Sequence, residues 1–256
     1  MAMKYSYDEL AGMIDHSLLH PTMTDDELVA GCELAKRYGV ASVCIKPYAV
    51  KLAKRRLKGS KVAVGAVVGF PHGGSTTEIK RLETRAACRD GATEIDMVIN
   101  IGKVLSGDWA YVRKDIQTVV REAHRSGAIV KVIFENDFIP DDTIKRKLCI
   151  ICAQVKADFV KTSTGYGFVK GFDGRYSYLG ATDRDLQLMA KYSPPSVQVK
   201  AAGGIRELKD LIRCRDLGAT RVGATATAAM LEEYRKRAKG RATRSTPGGW
   251  PSSSGY

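Results

Sequence analysis

Long apolar runs are missing from this sequence, although 44% of its 256 residues are hydrophobic. No run is long enough to span a membrane, and the N-terminal segment MAMKYSYDELAGM lacks the long apolar core of a signal peptide. We therefore expect a cytoplasmic protein. Its length and hydrophobic fraction allow two ordinary domains or one large α/β barrel.

The six cysteines lack the regular spacing of a disulfide framework, so reduced thiols are expected. Cys149 and Cys152 form a single C-x-x-C, but no second cysteine pair follows to complete a zinc site. The surrounding segment DDTIKRKLCIICAQVKA has helical periodicity, which places the pair on a buried helix face. We expect neither a metal nor a cofactor.

Histidine is scarce, with four in the chain. His16 and His20 are four residues apart, a spacing that can bind a metal when both lie on a helix. The segment DHSLLHP that contains them instead predicts a strand followed by a loop, and its last residue is a proline. His72 and His124 lie in unrelated segments. A metal-dependent enzyme, such as a hydrolase, is therefore only an alternative interpretation.

Aromatic residues are few, at 7%, and form no visible platform for nucleic acid, although the formal net charge is +13. The basic residues are spread along many segments, among them KLAKRRLKGSK and RKRAKGRATR. These segments are typical of exposed helix faces and ends. An electropositive surface also attracts a phosphorylated substrate. We expect no nucleic-acid partner, and nucleic-acid binding is the non-enzyme alternative.

Apolar, β-branched segments alternate with amphipathic segments along the chain. Eight segments have the character of strands: MIDHSLL, VASVCIK, VAVGAVVGF, EIDMVIN, IVKVIFE, DFVKTST, VQVKAAG and RVGAT. Eight helical patterns alternate with them. Eight such units in about 240 residues predict a (β/α)₈ barrel. An open doubly wound sheet is the alternative, but no G-x-G-x-x-G follows the first strand.

The barrel is predicted to form one domain over residues 1–240. The remaining segment 241–256, RATRSTPGGWPSSSGY, has the composition of a flexible C-terminal tail. Residues 167–180, GFVKGFDGRYSYLG, are predicted to form a long loop after the sixth strand. In a barrel, such a loop lies on the catalytic face.

Ionisable residues occur inside several predicted strands. Asp96 lies in EIDMVIN, Lys161 in DFVKTSTG and Lys200 in VQVKAAGG, with Lys131 of IVKVIFE as a fourth candidate. A lysine inside a strand is unfavourable unless it is paired. Burial and repulsion between two neighbouring ammonium groups both lower a lysine pKa, which leaves one amine neutral near neutral pH. A neutral amine attacks carbonyl carbons, so these residues predict Schiff-base chemistry.

Two glycine-containing turns follow the last two predicted strands. AAGGIRELKD places Gly203 and Gly204 between a strand and a helix, and RVGATATAA places Gly223 and Thr225 likewise one unit later. Small residues let backbone N–H groups approach an anion at a helix N-terminus. These two loops frequently bind phosphate in barrels, so we expect a phosphorylated small-molecule substrate.

Five segments, IDHSLLHP, VGFPHG, EIDMVINIG, KTSTGYG and VKAAGGIR, together resemble the deoxyribose-phosphate aldolase family, in the family's order. The resemblance covers most of the chain, from Ile14 to Met230. It implies a metal-free class I aldolase on a (β/α)₈ barrel. Such a lyase reversibly cleaves 2-deoxy-D-ribose 5-phosphate to acetaldehyde and D-glyceraldehyde 3-phosphate in deoxyribonucleoside catabolism. Because related enzymes are often dimers, a homodimer is a further expectation.

The resemblance also implies residue roles. Lys161 of KTSTG is the expected Schiff-base nucleophile, and Lys200 of VKAAGG is the expected neighbouring cation that lowers its pKa. Asp96 is expected to relay protons with Lys200 through a water. The implied substrate-binding residues are Asp15, Cys44, Lys131, Thr164, Gly165, Gly203, Gly204, Gly223, Thr225 and Tyr256, the last as the end of a tail that reaches the site.

The sequence departs from the family pattern at three places. Tyr166 stands where some members have a lysine that assists phosphate binding, and Thr225-Ala226 replaces a serine pair. The strand of Lys131 continues as FEND, where many members have Glu-Thr-Gly. The Schiff-base residues are intact. The departures leave open a related lysine-dependent barrel aldolase that acts on a different sugar phosphate or aldehyde.

Overall fold

The structure, a computed structural model, describes residues 4–242. Eight parallel strands close into a barrel, and each pairs with the barrel strands before and after it in the chain. This confirms the predicted (β/α)₈ barrel. The barrel strands are β1 (Ile14–Leu18), β2 (Ser42–Ile45), β3 (Ala63–Val68), β4 (Glu94–Val98), β5 (Ile129–Ile133), β6 (Phe159–Lys161), β9 (Gln198–Ala202) and β10 (Arg221–Ala224). Between β6 and β9, the strands β7 (Val169–Lys170) and β8 (Tyr176–Ser177) form a separate hairpin.

Helices follow the barrel strands, and eight of them coincide with the predicted helical segments. The short helices α1 and α5 and two 3₁₀ turns, Pro47–Ala49 and Asn136–Phe138, are additional. The helices are α1 (Tyr7–Ala11), α2 (Asp25–Tyr38), α3 (Val50–Arg56), α4 (Thr77–Asp90), α5 (Ile101–Leu105), α6 (Trp109–His124), α7 (Asp142–Gln154), α8 (Asp183–Tyr192), α9 (Leu208–Asp216) and α10 (Thr227–Ala242).

Local sequence signals fix the helix ends, as α2 illustrates. The Thr24 hydroxyl accepts the backbone N–H of Glu27 at 3.3 Å, and the Glu27 carboxylate accepts the N–H of Thr24 at 2.7 Å. This reciprocal pair satisfies two N–H groups that the helix leaves free. The helix ends at Gly39, whose φ of 64° is easily adopted only by glycine. The chain then turns directly into β2.

Side chains alternate between the two faces of each barrel strand, which separates an apolar layer from a charged interior. In β5, Val130 and Val132 are fully buried in the hydrophobic core, while Lys131 between them pairs with carboxylates inside the barrel. The strand register places Lys131 beside Asp96 of β4. The fold therefore concentrates ionisable groups at the centre of the barrel.

The chain leaves the barrel after β6 and returns through α8 to β9. Residues 165–180 of this excursion, called the roof below, contain the antiparallel pair β7 and β8. The predicted long loop after the sixth strand is thus a short hairpin with irregular flanks.

The last helix, α10, includes the first two residues of the predicted tail. The remainder of that tail, with Tyr256, lies outside the described residues. None of the helices within residues 4–242 is long and apolar enough to cross a membrane.

Candidate active site

Lys161 ends β6 and lies beside Lys200 of β9 in the strand register. Its side chain is 3% exposed, and its Nζ donates to Asp96 Oδ2 at 2.7 Å. Lys200 Nζ donates to the same carboxylate oxygen at 2.6 Å. Lys161 and Lys200 therefore meet at the carboxylate of Asp96. The three residues come from three different strands, and all three were predicted from the sequence to be catalytic.

The three lysines inside the barrel, Lys131, Lys161 and Lys200, differ in the number of carboxylates around each amine. Among the described residues, Asp96 is the one carboxylate that forms an ion pair with Lys161, whereas Lys200 also pairs with Asp15 Oδ2 at 2.5 Å. Lys131 is surrounded by three carboxylate oxygens: Asp15 Oδ2 at 3.2 Å, Glu94 Oε2 at 2.5 Å and Asp96 Oδ1 at 3.0 Å. Lys161 is thus the lysine with the least support for a positive charge.

These surroundings move the lysine pKa values in opposite directions. Burial lowers the pKa of Lys161; Asp96 opposes this effect, and the Lys200 ammonium adds to it. Burial would also lower the pKa of Lys200, but Asp15 and Asp96 overcome it and hold that pKa above its ordinary value. Lys161 therefore loses its proton most readily, which is what a nucleophilic amine requires.

Asp96 remains a carboxylate at the centre of this group. Burial opposes its ionisation, but Lys131, Lys161 and Lys200 together hold its pKa well below the ordinary value. Cys44 Sγ lies 3.8 Å from Asp96 Oδ2, and burial raises the pKa of this thiol to about 11. Cys44 is therefore a neutral, weakly donating neighbour and not a second nucleophile.

A cavity of about 470 Å³ lies above these groups, at the carboxyl ends of the strands. Most of the predicted site residues line it: Cys44, Lys161, Thr164, Gly165, Lys200, Gly203, Gly204, Gly223 and Thr225. Asp15, Asp96 and Lys131 do not line the cavity; they are fully buried and contact its two lysines or one another. Tyr256, the remaining predicted residue, lies outside the described residues.

The turn after β9 has a backbone that only glycine adopts easily. Gly203 and Gly204 have φ values of 95° and 77°. A Cβ on Gly203 would lie 2.8 Å from the Cα of Gly180, at the end of the roof. The neighbouring strand β10 leads into α10, which begins at Thr227, two residues after Thr225. A glycine turn beside the N-terminus of a 16-residue helix is suited to binding an anion such as phosphate.

Sequence reasoning missed two charged residues of the barrel interior. Arg221 of β10 contacts Asp15 Oδ1 at 2.5 Å and Glu94 Oε1 at 2.9 Å. A signal for Glu94 was present, because it precedes Asp96 by two residues in β4 and so shares its face. Arg206 was missed as well; it lines the cavity and lies within the quoted motif VKAAGGIR.

Carboxylates from the turn after β5 hold both ends of the roof. The buried Glu135, whose φ is 58°, accepts a hydrogen bond from the backbone N–H of Thr164 at 3.1 Å and another from the Thr164 hydroxyl. Asp137 accepts the N–H of Leu179 at 2.5 Å and the N–H of Gly180 at 3.1 Å. The FEND segment, which departs from the family pattern, is thus the support of the roof. No sequence periodicity signals such a contact between two loops.

The two histidines whose spacing raised the alternative of a metal site have different partners in the structure. His16 Nδ1 is 2.9 Å from the Thr227 hydroxyl of α10, and burial lowers its pKa to about 4. His20 is exposed and bonds to Thr22 instead. Within residues 4–242, no three His, Cys, Asp or Glu side chains form a group that could hold a metal ion. The cysteines of the C-x-x-C are buried, free thiols on α7.

A cavity at the carboxyl ends of a closed (β/α)₈ barrel, above paired lysines and a carboxylate, is the arrangement of a barrel enzyme. The family model for the DeoC/LacD family aldolases matches residues 10–232. The chain belongs to this family, and it is an aldolase and therefore a lyase.

Individual relatives support the same assignment. The chain is 49% identical over 233 residues to the deoxyribose-phosphate aldolase of Rhodopirellula baltica, which covers 91% of this chain and 92% of that protein. It is 43% identical over 229 residues to that of Thermococcus gammatolerans, covering 89% and 97%. The tetrameric deoxyribose phosphate aldolase of Aeropyrum pernix superposes with a TM-score of 0.80 at 28% identity, covering 91% of this chain and 93% of that one. The family resemblance inferred from five motifs is confirmed.

Proposed function

We propose that the protein reversibly cleaves 2-deoxy-D-ribose 5-phosphate to acetaldehyde and D-glyceraldehyde 3-phosphate through a Schiff base on Lys161. One observation carries the assignment of the nucleophile. Of the two lysines that line the cavity, Lys161 has a single carboxylate partner and a lowered pKa, whereas Lys200 has two partners and a raised pKa. The relatives named for this activity support the choice of substrate.

The first chemical step is addition of the neutral Lys161 Nζ to the aldehyde carbon C1 of the open-chain sugar. The resulting carbinolamine loses its hydroxyl as water after that hydroxyl accepts a proton, and an iminium remains. Lys200 is the proposed proton donor. It shares Asp96 Oδ2 with Lys161, at 2.6 and 2.7 Å, so a proton can be exchanged within this group.

The second step breaks the C2–C3 bond, because the products contain two and three carbons. A base removes the C3 hydroxyl proton, C3 leaves as the aldehyde of the triose phosphate, and the electron pair of the bond moves into the iminium to give an enamine. A water held by Asp96 and Lys200 is the proposed base. Protonation of the enamine at C2 and hydrolysis of the iminium release acetaldehyde and restore Lys161.

The substrate phosphate is proposed to bind at the other end of the cavity. Gly203 and Gly204 offer an open backbone turn there, and α10 offers a helix N-terminus beyond Thr225. Arg206 adds a positive charge to the same part of the lining. Fixing the phosphate fixes the position of C2 and C3 relative to the Lys161 amine.

Reductive trapping tests the proposal. The protein is mixed with 2-deoxyribose 5-phosphate, treated with borohydride and digested, and the modified lysine is identified by peptide mass spectrometry. We expect the adduct on Lys161 and its loss in Lys161→Ala, with cleavage reduced on the order of 10⁴-fold or more, as for removal of other covalent nucleophiles. Lys170→Ala, at an exposed lysine of the roof, is the matched control and should retain the adduct.

Each other outcome has a definite meaning. An adduct on Lys200 or Lys131 would keep the reaction class but overturn the assignment of the nucleophile. A folded protein that forms no adduct would contradict the proposed reaction on this substrate.

A different sugar phosphate or aldehyde is the second candidate for the substrate. It is favoured by Tyr166, which lines the cavity where some family members have a lysine, and which packs edge to face on Phe70 at 5.6 Å. The ratio of kcat/KM for 2-deoxyribose 5-phosphate to that for unphosphorylated 2-deoxyribose separates the two candidates. A ratio near one would favour the second.

We infer that the reaction serves deoxyribonucleoside catabolism in the cytoplasm. The six cysteines support a reducing compartment, because all are free thiols and five are buried. A homodimer stays a prediction; the Aeropyrum pernix relative is described as tetrameric. Sedimentation equilibrium of the full chain would measure the oligomeric state.

A further inference from the structure

Within residues 4–242, the ion-paired side chains inside the barrel include one more basic group than acidic groups. This charge cluster consists of four basic residues, Lys131, Lys161, Lys200 and Arg221, and three acidic residues, Asp15, Glu94 and Asp96. Each member forms an ion pair with another. If all seven are ionised, a buried interior carries one excess positive charge, which is unfavourable. If Lys161 is neutral, the charges balance.

Two members of the charge cluster lie at the opposite end of the barrel from the cavity. Glu94 and Arg221 are the first residues of β4 and β10, at the amino end of the barrel, and neither lines the cavity. Arg221, 17% exposed, pairs with Asp15 at 2.5 Å, and Asp15 pairs with Lys200 at 2.5 Å. Lys200 shares a carboxylate with Lys161. Ion pairs thus run continuously from the amino end of the barrel to the proposed nucleophile.

We propose that Arg221 and Glu94 are positioning residues whose charges set the protonation state of Lys161 from the opposite end of the barrel. This inference rests on the proposed role of Lys161. Without the Arg221 charge, three basic groups face three carboxylates, and a protonated Lys161 balances them. Without the Glu94 charge, four basic groups face two carboxylates, and a neutral Lys161 is favoured further.

Other titratable groups also face Lys161 and stay in place in these experiments. They are Asp96 from β4, Lys200 from β9, Lys131 from β5 through Asp96, Cys44 from β2 and Glu135 from the turn after β5. Burial raises the pKa of the Cys44 thiol and that of the Glu135 carboxyl, so these two groups tend towards their neutral forms. A change at position 94 or 221 therefore acts on a constant background.

The sign of the effect follows from the chemistry. Lys161 attacks only as the free amine, so the acid limb of the pH profile follows its pKa. Loss of a positive charge raises that pKa and moves the limb to higher pH; loss of a negative charge moves it to lower pH. For charges on the order of 10 Å apart at an effective dielectric constant of about 20, the shift is about one pH unit.

The experiment uses Arg221→Gln, Glu94→Gln and the double variant, with Arg221→Lys as the matched control that keeps the charge. The pH dependence of kcat/KM for cleavage is measured for each. Competitive acetylation of Lys161 by acetic anhydride, followed by peptide mass spectrometry, reports the proton affinity of the amine directly. We expect a shift of about +1 pH unit for Arg221→Gln, about −1 for Glu94→Gln and close to zero for the double variant and Arg221→Lys.

Opposite shifts that cancel in the double variant cannot arise from loosened packing, which would affect both single variants in the same way. The inference would be overturned if the acid limbs of the pH profiles stayed unchanged, or if both single variants shifted the limb in the same direction. If Arg221→Gln fails to fold by circular dichroism, Glu94→Gln and the charge-balanced double variant still decide the question. The acetylation profile needs no substrate, so it tests the coupling even if the proposed cleavage reaction is wrong.

Discussion

The charge cluster, which reaches the cavity through Lys161 and Lys200, and the roof, which also lines the cavity, are held in place by different means. The charge cluster lies on regular strands, where register and reciprocal ion pairs fix each side chain. The roof, residues 165–180, is irregular apart from one hairpin, and its two ends depend on the carboxylates of Glu135 and Asp137.

This difference separates two kinds of catalytic property. A rigid, buried group of charges controls proton affinity, and hence the chemical step. A segment fixed at its ends places walls around the substrate and forms no ion pair with Lys161, Lys200 or Asp96. We therefore expect substitutions in the charge cluster to change kcat and its pH dependence, and substitutions around the roof to change KM and substrate discrimination.

Among substitutions that keep Lys161 in place, the largest effect is expected for Lys200→Met. Loss of this ammonium removes the cation beside Lys161 and leaves Lys131, Lys161 and Arg221 to balance three carboxylates, so Lys161 keeps its proton at neutral pH. We expect kcat for cleavage to fall about 10³-fold, the range for loss of an acid–base group. Because the pKa of Lys161 rises, part of the activity should return at alkaline pH.

The pH–rate profile measures this effect, with circular dichroism to confirm folding. Lys170→Met, an exposed lysine of the roof, provides the matched control and should leave the profile in place. If Lys200→Met lowers kcat equally at every pH, Lys200 acts in proton transfer alone and does not tune Lys161.

A smaller effect is expected for Asp137→Ala, at the turn that holds the roof. This change removes the acceptor of the Leu179 and Gly180 N–H groups, and Gly180 packs against the Gly203 turn that lines the cavity. Loss of about 1.4 kcal/mol of hydrogen bonding to a charged group would raise KM for the phosphorylated substrate about tenfold. Since no member of the charge cluster is touched, kcat should change little.

Asp137→Asn separates a positioning role from general destabilisation. Its amide oxygen can still accept from the Leu179 N–H, so KM should return most of the way to that of the unmodified protein. Steady-state kinetics on 2-deoxyribose 5-phosphate and on 2-deoxyribose measure both parameters. A fall in kcat on both substrates, with KM unchanged, would show that the roof and the charge cluster are not separable.

Most of the barrel and the centre of its site were predictable, because both follow from periodicity. Asp96, Lys131 and Lys200 each occupy an inward position of a strand, and alternation alone places such residues at one centre. Glu94 obeys the same rule and could have been included. Arg221 lacked such a signal, because the residue that shares its face in β10, Gly223, has no side chain to mark the inward face.

The support of the roof was not predictable, because it depends on contacts between two loops. Glu135 adopts a positive φ, which is uncommon for a residue other than glycine, and nothing in FEND signals it. Asp137 reaches residues more than forty positions away in sequence. Hydrogen bonds of this kind are set by the packed barrel, so they follow from tertiary structure and not from local pattern.

The smallest effect is expected where the sequence departs from the family within the roof. Tyr166→Lys places an ammonium in the lining of the cavity, where the substrate phosphate is proposed to lie. A partly exposed ion pair contributes up to about 1 kcal/mol, so kcat/KM for 2-deoxyribose 5-phosphate should rise about three- to fivefold relative to that for 2-deoxyribose.

Two controls decide whether the gain comes from charge. Tyr166→Met removes the aromatic contact with Phe70 as the lysine variant does, but adds no charge, so it should leave discrimination close to that of the unmodified protein. Raising the ionic strength should abolish the gain in Tyr166→Lys, because salt screens an exposed pair. An equal gain in both variants would mean that Tyr166 restricts the cavity by its size. The shape of the cavity, and not a charge, would then decide between 2-deoxyribose 5-phosphate and the second candidate substrate. A gain confined to the lysine variant would place the phosphate beside the roof and complete the contrast with the charge cluster, where removal of a charge is expected to change the chemical step itself.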